Sequence, residues 1–428
     1  MAGDLGATET LGRLTHLVSD RTGIARELSL ADVEPGDPPV HIAMSRPART
    51  CVLGQREALN EGMGASLNRE LAMLKALAEG VERYCAVFQP TNLPLASWND
   101  LGDAAVRPQA FALFSREQYG ISDFPFAPFQ PTTVVQWTKG RSIADGRDRL
   151  VPAQFVYLPS GRRPDEPPLW TAISTGLAAG TDEHAAICSG LREVLERDAF
   201  MLVWRHELPT PEIDLDGLPV GVEQRLCEAL RSVGWQLRAR LLTLDIEIPV
   251  VLVIAERVDG SRPYVALAAG THSDPRLALR LALEEACLSV YGITRLVKRH
   301  GREMEIATTA DFTTLTLQSV AYAVRRELTT TAEFLFGRSP VKLTLAALEE
   351  RFAATSHSSA ALVALLGRWA RDAVVVNCTT ADVHDIGITV VRVLVPGLRP
   401  LDHNAAIPHL GGVRWLRDTI NLAPHPFP

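Results

Sequence analysis

The sequence predicts a mixed α+β fold. Apolar, β-branched runs such as PVVLVIAERV (249–258) and TVVRVLVPG (389–397) have the length and composition of buried strands. Long amphipathic runs of helical period stand between them, but strands and helices do not follow a strict βαβ alternation. With 428 residues, 46% of them hydrophobic, the chain can bury a substantial core without covalent staples.

Taken in order, residues 1–45 are mixed in character, with a turn at PGDPP (35–39), and lead into one larger unit over 46–428. After Gly62 and Gly64, Ser66 is the expected cap of a helix through LNRELAMLKALAEGVERYCAVF, with Leu71, Leu74, Leu77, Ala78 and Val81 as its apolar stripe. Residues 86–170, rich in proline and aromatics, predict short strands and loops covering one side of a site. STGLAAG (174–180) predicts a flexible turn, and Thr181 then caps a second helix, DEHAAICSGLREVLERDAFMLVWR. Strands are expected at 235–244, 249–258 and 264–270. Asp274 as N-cap and Pro275 at the first helical position open a third helix, RLALRLALEEACLSVYGITRLV. Residues 303–370 predict surface-like helices, 373–380 and 389–397 two further strands, and the chain closes on PHPFP.

Composition narrows the function. A net charge of −7 argues against a nucleic-acid protein held by a general basic field. The six cysteines are scattered and form no CxxC pair, which disfavours a zinc ribbon and suits a reducing cytoplasm. The N-terminus lacks the apolar run of a signal peptide, and no stretch approaches the ~20 apolar residues of a membrane span.

Two helices carry the same short pattern, Glu79-Gly-Val-Glu82-Arg83 and Glu193-Val-Leu-Glu196-Arg197. In each, a spacing of three puts both glutamates on one helix face. Singly, such a pattern is a surface salt bridge that contributes only a few tenths of a kcal/mol. Its repetition inside apolar helices changes that, because unpaired carboxylates there are costly. Facing carboxylates repel unless a cation lies between them, and hard oxygen ligands in that number suit magnesium. Magnesium in turn implies phosphates. A glycine turn entering a helix offers backbone N–H groups to an anion, and each helix follows one; the third helix carries Glu284 and Glu285 behind Gly270. The chain has no GxxxxGK[ST] and no GxGxxG, so the nucleotide site is of another type. A di-iron carboxylate bundle would need ExxH, and both helices have glutamate where that histidine would stand.

GMGASLNRELAMLKALAEGVERYCA, STGLAAGTDEHAAICSGLREVLERDAF, ALAAGTHSDPRLALRLALEEA and VRVLVPGLRPLDHN resemble, in order, the motifs of the YcaO family. The resemblance runs from about Val18 to the end. It implies a YcaO-type ATP-binding fold with Mg2+ held by Glu79, Glu82, Glu193 and Glu196. It further implies that Ser174, Arg83 and Arg197 contact the nucleotide, with Arg280 on the third helix as a phosphate contact. The chain departs from the family in having Met63 where GKG is frequent, and Lys75 at a usually small position supplies a replacement charge. Leu288 also stands where a glutamine is frequent.

The ending Pro424-His-Pro-Phe-Pro428 resembles the PxPxP tail of azoline-forming YcaO cyclodehydratases, whose C-terminus reaches toward the ATP site. The implied activity is ATP-dependent activation of backbone amides in a precursor peptide. Cys, Ser or Thr is thereby cyclodehydrated to thiazoline or (methyl)oxazoline, with His403, Asp402 or the carboxylate of Pro428 as base. Thioamide or macroamidine formation, and a non-catalytic scaffold in a biosynthetic complex, are the rival expectations. The expected partners are the precursor peptide and a ThiF-like leader-binding protein, with a homodimer as a further arrangement, and neither nucleic acid nor membrane.

Overall fold

The computed structural model describes residues 2–53, 61–159, 161–355 and 358–428. Three sheets and three long helices organise it. The first sheet pairs Ala25–Leu30, His41–Pro47 and Gly62–Ser66 antiparallel, in that order. The second runs Val265–Thr271, Val250–Glu256, Gln236–Leu241, Glu212–Ile213 and Lys342–Leu343, and only its last pair is parallel. The third runs Leu95–Ala96, Val135–Ser142, Val374–Asn377, Thr389–Leu394 and Leu177–Gly180, with Asp148–Pro152 forming a hairpin on Val135–Ser142. Pairing this predominantly antiparallel beside long helices is the α+β class that the sequence predicts.

The helices are Arg69–Val87, Glu183–His206 and Pro275–Ile306, called here the first, second and third. Successive strand residues face opposite sides, so a continuous apolar run serves two cores. In Val250–Glu256, Val251, Val253 and Ala255 pack with Ala278, Leu279 and Ala282 of the third helix. Leu252 and Ile254 pack with Phe200 and Trp204 of the second. Strand Thr389–Leu394 divides likewise. Val391 and Val393 meet Leu191 and Leu195 of the second helix, while Val390 joins Leu77 and Val81 of the first. The second helix is therefore clamped between two sheets, and only its polar positions are left to build a site.

Several expected boundaries move. Ser66 does not cap the first helix; Asn68 does, accepting from the N–H groups of Glu70 and Leu71. Asp182, not Thr181, caps the second, and Asp274 and Pro275 open the third as expected. The glycine-rich segments expected as turns are strands. A Cβ on Gly62 would stand 2.2 Å from Ala76 O, on Gly180 2.4 Å from Ala186 N, and on Gly270 2.4 Å from Ala282 N. In each case the glycine lets a strand lie flush on the helix that follows it. Helices within 303–370 are not surface-like, since Val320, Tyr322, Leu348 and Leu362 are at most 1% exposed. A helix at Ala2–Thr15 was not foreseen, and strand His41–Pro47 crosses residue 45 to pair with Gly62–Ser66. No helix among the described residues is long and apolar enough to cross a membrane.

The close strand–helix approach predicts that Gly270→Val lowers the unfolding free energy by about 3 kcal/mol or more. Gly292→Ala, where a Cβ meets nothing within 4 Å, is expected to be neutral or to stabilise by up to ~1 kcal/mol. Chemical denaturation of both variants checks this pair of outcomes.

Candidate active site

The glutamates of the three helices bond to the strands in front of them. On the first helix, Glu79 accepts from Met63 N at 2.8 Å and from Arg83 Nη2 at 2.9 Å. On the second, Glu193 accepts from Gly176 N at 2.9 Å. Further bonds join one strand–helix unit to the next. Glu82 of the first helix accepts from Ala179 N, in the strand before the second, at 2.7 Å. Glu196 of the second accepts from Thr271 Oγ1, in the strand before the third, at 3.1 Å. Glu284 of the third accepts from Ser66 Oγ, in the strand before the first, at 2.9 Å. The three links close into a ring.

This ring concentrates negative charge in a desolvated place. Burial pushes the Glu82 carboxyl up to about 8; Ala179 N–H and Arg83 oppose the shift, and the charges of Glu79 and Glu193 add to it. Burial likewise pushes Glu196 up to about 7, against Arg197 and with Glu193 and Glu285. Glu285 is raised by burial, against Lys75 and with Glu79 and Glu284. Carboxylates that feel one another across three helices form a single cluster.

Arginines surround it with donors left over. Arg197 stands 3.8 Å from Glu193 Oε1 and 3.9 Å from Glu196 Oε1, close enough to attract but not to hydrogen-bond. Arg392, fully buried in the third sheet, donates Nη2 to Ile173 O and leaves Nε and Nη1 unpartnered. Burial draws it down to about 10, opposed by the Glu193 charge. Among the described residues, the Nε atoms of Arg83, Arg192 and Arg197 also find no acceptor.

A cleft of about 280 Å³ opens here between the second and third helices, with Arg192, Glu193, Glu196, Arg197, Thr271 and Glu285 on its walls and Phe427 and Pro428 at its rim. The tail is firmly seated. Tyr322 Oη donates to Pro424 O at 2.8 Å and Ser319 Oγ to Pro426 O at 3.2 Å, satisfying carbonyls of a segment poor in N–H donors. His425 is 1% exposed, its N–H donating to Gln318 Oε1, and burial draws its ring down to about 4, so it is neutral. The Phe427 ring lies 4.5 Å from that of Phe200 and 4.5 Å under the Arg197 guanidinium, which also donates to Pro428 O at 3.2 Å.

Among the described residues no three His, Cys, Asp or Glu side chains already form a metal cage. That fits magnesium shared with phosphates, where one or two carboxylates complete a shell of phosphate and water oxygens. Glu82 Oε2, Glu193 Oε1 and Glu196 Oε1 accept no hydrogen bond from the described residues, which suits that role, and the arginine N–H groups without a partner among those residues suit a polyphosphate.

Of the residues expected from sequence, Glu79, Glu82, Arg83, Glu193, Glu196, Arg197 and Pro428 come together here. Lys75 and Arg280 both stand on Glu284, at 2.8 and 3.7 Å. Ser174 offers its carbonyl to Leu177 N at the start of strand Leu177–Gly180. His403 is a correction. It lines no part of the cleft, because Gln318 Nε2 holds its carbonyl and that of Asp402 beneath the tail. Asp402 is 1% exposed and ion-paired with Arg205 and His409, and those partners hold its carboxyl well below the usual range despite burial, so it cannot act as a base. Glu284, Glu285, Arg192, Arg392 and Phe427 were missed as site residues. A lone arginine inside the apolar run TVVRVL was the available signal for Arg392.

Buried carboxylates from three helices, rimmed by arginines with unused donors, define a protein that handles phosphate through divalent cations. The chain belongs to the YcaO family. Residues 63–399 match the family's model, described as a YcaO cyclodehydratase that binds ATP and Mg2+, and those are the cofactors. Among solved structures it is similar to a heterocyclase in complex with substrate and cofactor, at 23% identity and a TM-score of 0.76 over 98% of this chain. The chain spans 57% of the length of that heterocyclase. It is also similar to YcaO from Methanopyrus kandleri bound with AMPPCP and Mg2+, at 21% identity and a TM-score of 0.64, covering 92% of this chain and 91% of that one. A chain of the E. coli microcin synthetase McbBCD complex with pro-MccB17 bound gives 14% identity and a TM-score of 0.67, covering 94% and 96%. At these identities the structures share the fold.

Because Glu82 and Glu196 titrate above the ordinary carboxyl range, the folded state binds more protons than the unfolded chain between about pH 5 and 8. Their charged forms therefore cost stability as pH rises through that window. Relative to wild type, metal-free Glu82→Gln is expected to gain melting temperature steadily from pH 5 to 8 and then level off. A difference independent of pH would refute the assignment of a raised carboxyl.

Proposed function

We propose that this chain uses ATP and Mg2+ to activate backbone amides of a precursor peptide, and that it closes Cys, Ser or Thr side chains onto the preceding carbonyl as thiazoline or oxazoline rings. The observation that carries the reading is the proline-rich tail seated on Arg197 at the edge of the carboxylate cluster. Cyclodehydration removes the amide oxygen as phosphate, so the peptide carbonyl must meet the terminal phosphate in a place shielded from water.

When bound, ATP and Mg2+ supply the phosphoryl group and the positive charge that stabilises its transfer. The chain's own residues do the rest. Glu79, Glu82, Glu193 and Glu196 hold the metal. Arg83, Arg197 and Arg392 stand where phosphate oxygens are to be held, with their remaining N–H groups as donors. Lys75 and Arg280 offset the charge of Glu284 at the third helix. Ser174, just before strand Leu177–Gly180, is the proposed side-chain contact to the nucleotide. The tail excludes water from one side, and of the three expected proton acceptors Pro428 is the one at the cleft.

The reading includes a leader-binding partner of the ThiF-like type, supported by the similarity to a chain of McbBCD, a multi-subunit complex with pro-MccB17 bound. Such a partner, or a second copy of this chain, would present the peptide, and the cytoplasm is the setting for this chemistry.

The test is incubation with a Cys- and Ser-containing precursor peptide, the partner, ATP and Mg2+. The expected product has lost one water per modified residue, with stoichiometric phosphate release. Replacement of oxygen by sulfur would instead indicate thioamide formation, and no ATP turnover with the partner present would indicate a scaffold. Glu196→Gln, which keeps a hydrogen-bond acceptor for Thr271 but removes the charge, is expected to lower kcat at least ~100-fold. Removal of Phe427 and Pro428 is expected to lower kcat while leaving the fold intact, measured as phosphate release alongside a thermal melt.

A further inference from the structure

The carboxylates of the cluster are not equivalent. Among the described residues, Glu82, Glu193 and Glu196 each keep one oxygen free of hydrogen bonds, while the two oxygens of Glu79 accept from Met63 N and Arg83 within its own strand–helix unit. Glu284 keeps none. It is 3% exposed; its Oε1 accepts from Ser66 Oγ at 2.9 Å with Arg280 Nε at 3.7 Å, and its Oε2 accepts from Lys75 Nζ at 2.8 Å. Lys75 reaches across from the first helix, and its ammonium also donates to Ala65 O at 3.4 Å. At Gly64, where a Cβ would lie 2.6 Å from Lys75 Cβ, the strand lies flush on the helix that carries Lys75. A compact point charge thus stands where two acidic helices meet, held by Glu284 and the Ala65 carbonyl, with Glu285 one residue away on the cleft wall.

An ammonium and a hydrated divalent cation meet the same need beside a buried carboxylate. We propose that Lys75 is a built-in counter-ion that takes the place of a divalent cation at Glu284, so that metal bound with nucleotide is confined to the carboxylates of the first and second helices. The inference rests on the reading of the cluster as the Mg2+ site, and it makes Lys75 a positioning residue that sets how many ions the site accepts.

The experiment counts Mn2+ by electron paramagnetic resonance, with the full chain, a non-hydrolysable ATP analogue and limiting chelator. Lys75→Met is expected to bind one more Mn2+ per chain than wild type. Lys75→Arg is expected to keep the wild-type number, and Lys75→Met combined with Glu284→Gln to return to it. Melting curves keep the idea exposed if Lys75→Met folds poorly: Mn2+ should then raise its melting temperature by several degrees more than it raises that of wild type. An unchanged ion count together with an equal Mn2+ response in wild type and Lys75→Met overturns the proposal. A wild type that binds no Mn2+ in the presence of the analogue overturns the metal-site reading itself, which separates the two failures.

Discussion

The ring of carboxylate-to-strand hydrogen bonds is the constraint from which the rest of the structure follows. Glu82 to Ala179, Glu196 to Thr271 and Glu284 to Ser66 tie each strand–helix unit to the next. Each bond uses a carboxyl acceptor in a buried place, where an unmade hydrogen bond is costly. The ring therefore fixes the mutual placement of three helices that share no continuous sheet. It also forces their carboxylates together, which is unfavourable for an isolated chain and favourable once cations arrive. Stability and cofactor affinity thus draw on the same side chains in opposite senses.

The sequence carried much of this, for identifiable reasons. The ExxER spacing sets two glutamates on one helix face whatever the tertiary context, so the shared faces of Glu79 with Glu82 and of Glu193 with Glu196 were legible from periodicity alone. Asp274 and Pro275 likewise state a helix start in local chemistry. Gly62 and Gly180 misled, because glycine signals either a turn or a close backbone approach, and only the packing partner decides between them. Ser66 was misassigned for a related reason. A serine before a helix is a good cap in isolation, but its hydroxyl is committed to Glu284, 218 residues away. Arg392 and the Lys75–Glu284 pair were likewise beyond local reading, since each draws its meaning from elements distant in sequence. The buried helices of 303–370 read as surface because their apolar positions are short runs without a long stripe.

The tail's place could not be inferred from its composition either. Five residues of alternating proline predict a stiff segment and no destination. The destination comes from Tyr322 and Ser319 on a helix that the sequence had left to the surface, and from the aromatic wall of Phe200 on the second helix. Proline suits this use. It removes N–H groups that would need partners in a buried groove, while its carbonyls accept from side chains already there.

Arg197 joins these two halves of the molecule. Its guanidinium is within 4 Å of Glu193 and Glu196 but hydrogen-bonds neither, although a carboxylate and a guanidinium left to themselves settle into a bidentate pair. Phe427 stacks on its face and Pro428 takes one of its donors, so the tail holds the cation back from the carboxylates it attracts. The consequence is an oxygen on each glutamate that stays unbonded and a positive charge that stays close. A collapsed salt bridge would neutralise the cluster and close it to metal. An absent arginine would leave it too negative to approach a polyphosphate. The stand-off set by the tail avoids both, and it explains why a docked C-terminus, rather than a disordered one, accompanies this arrangement of carboxylates.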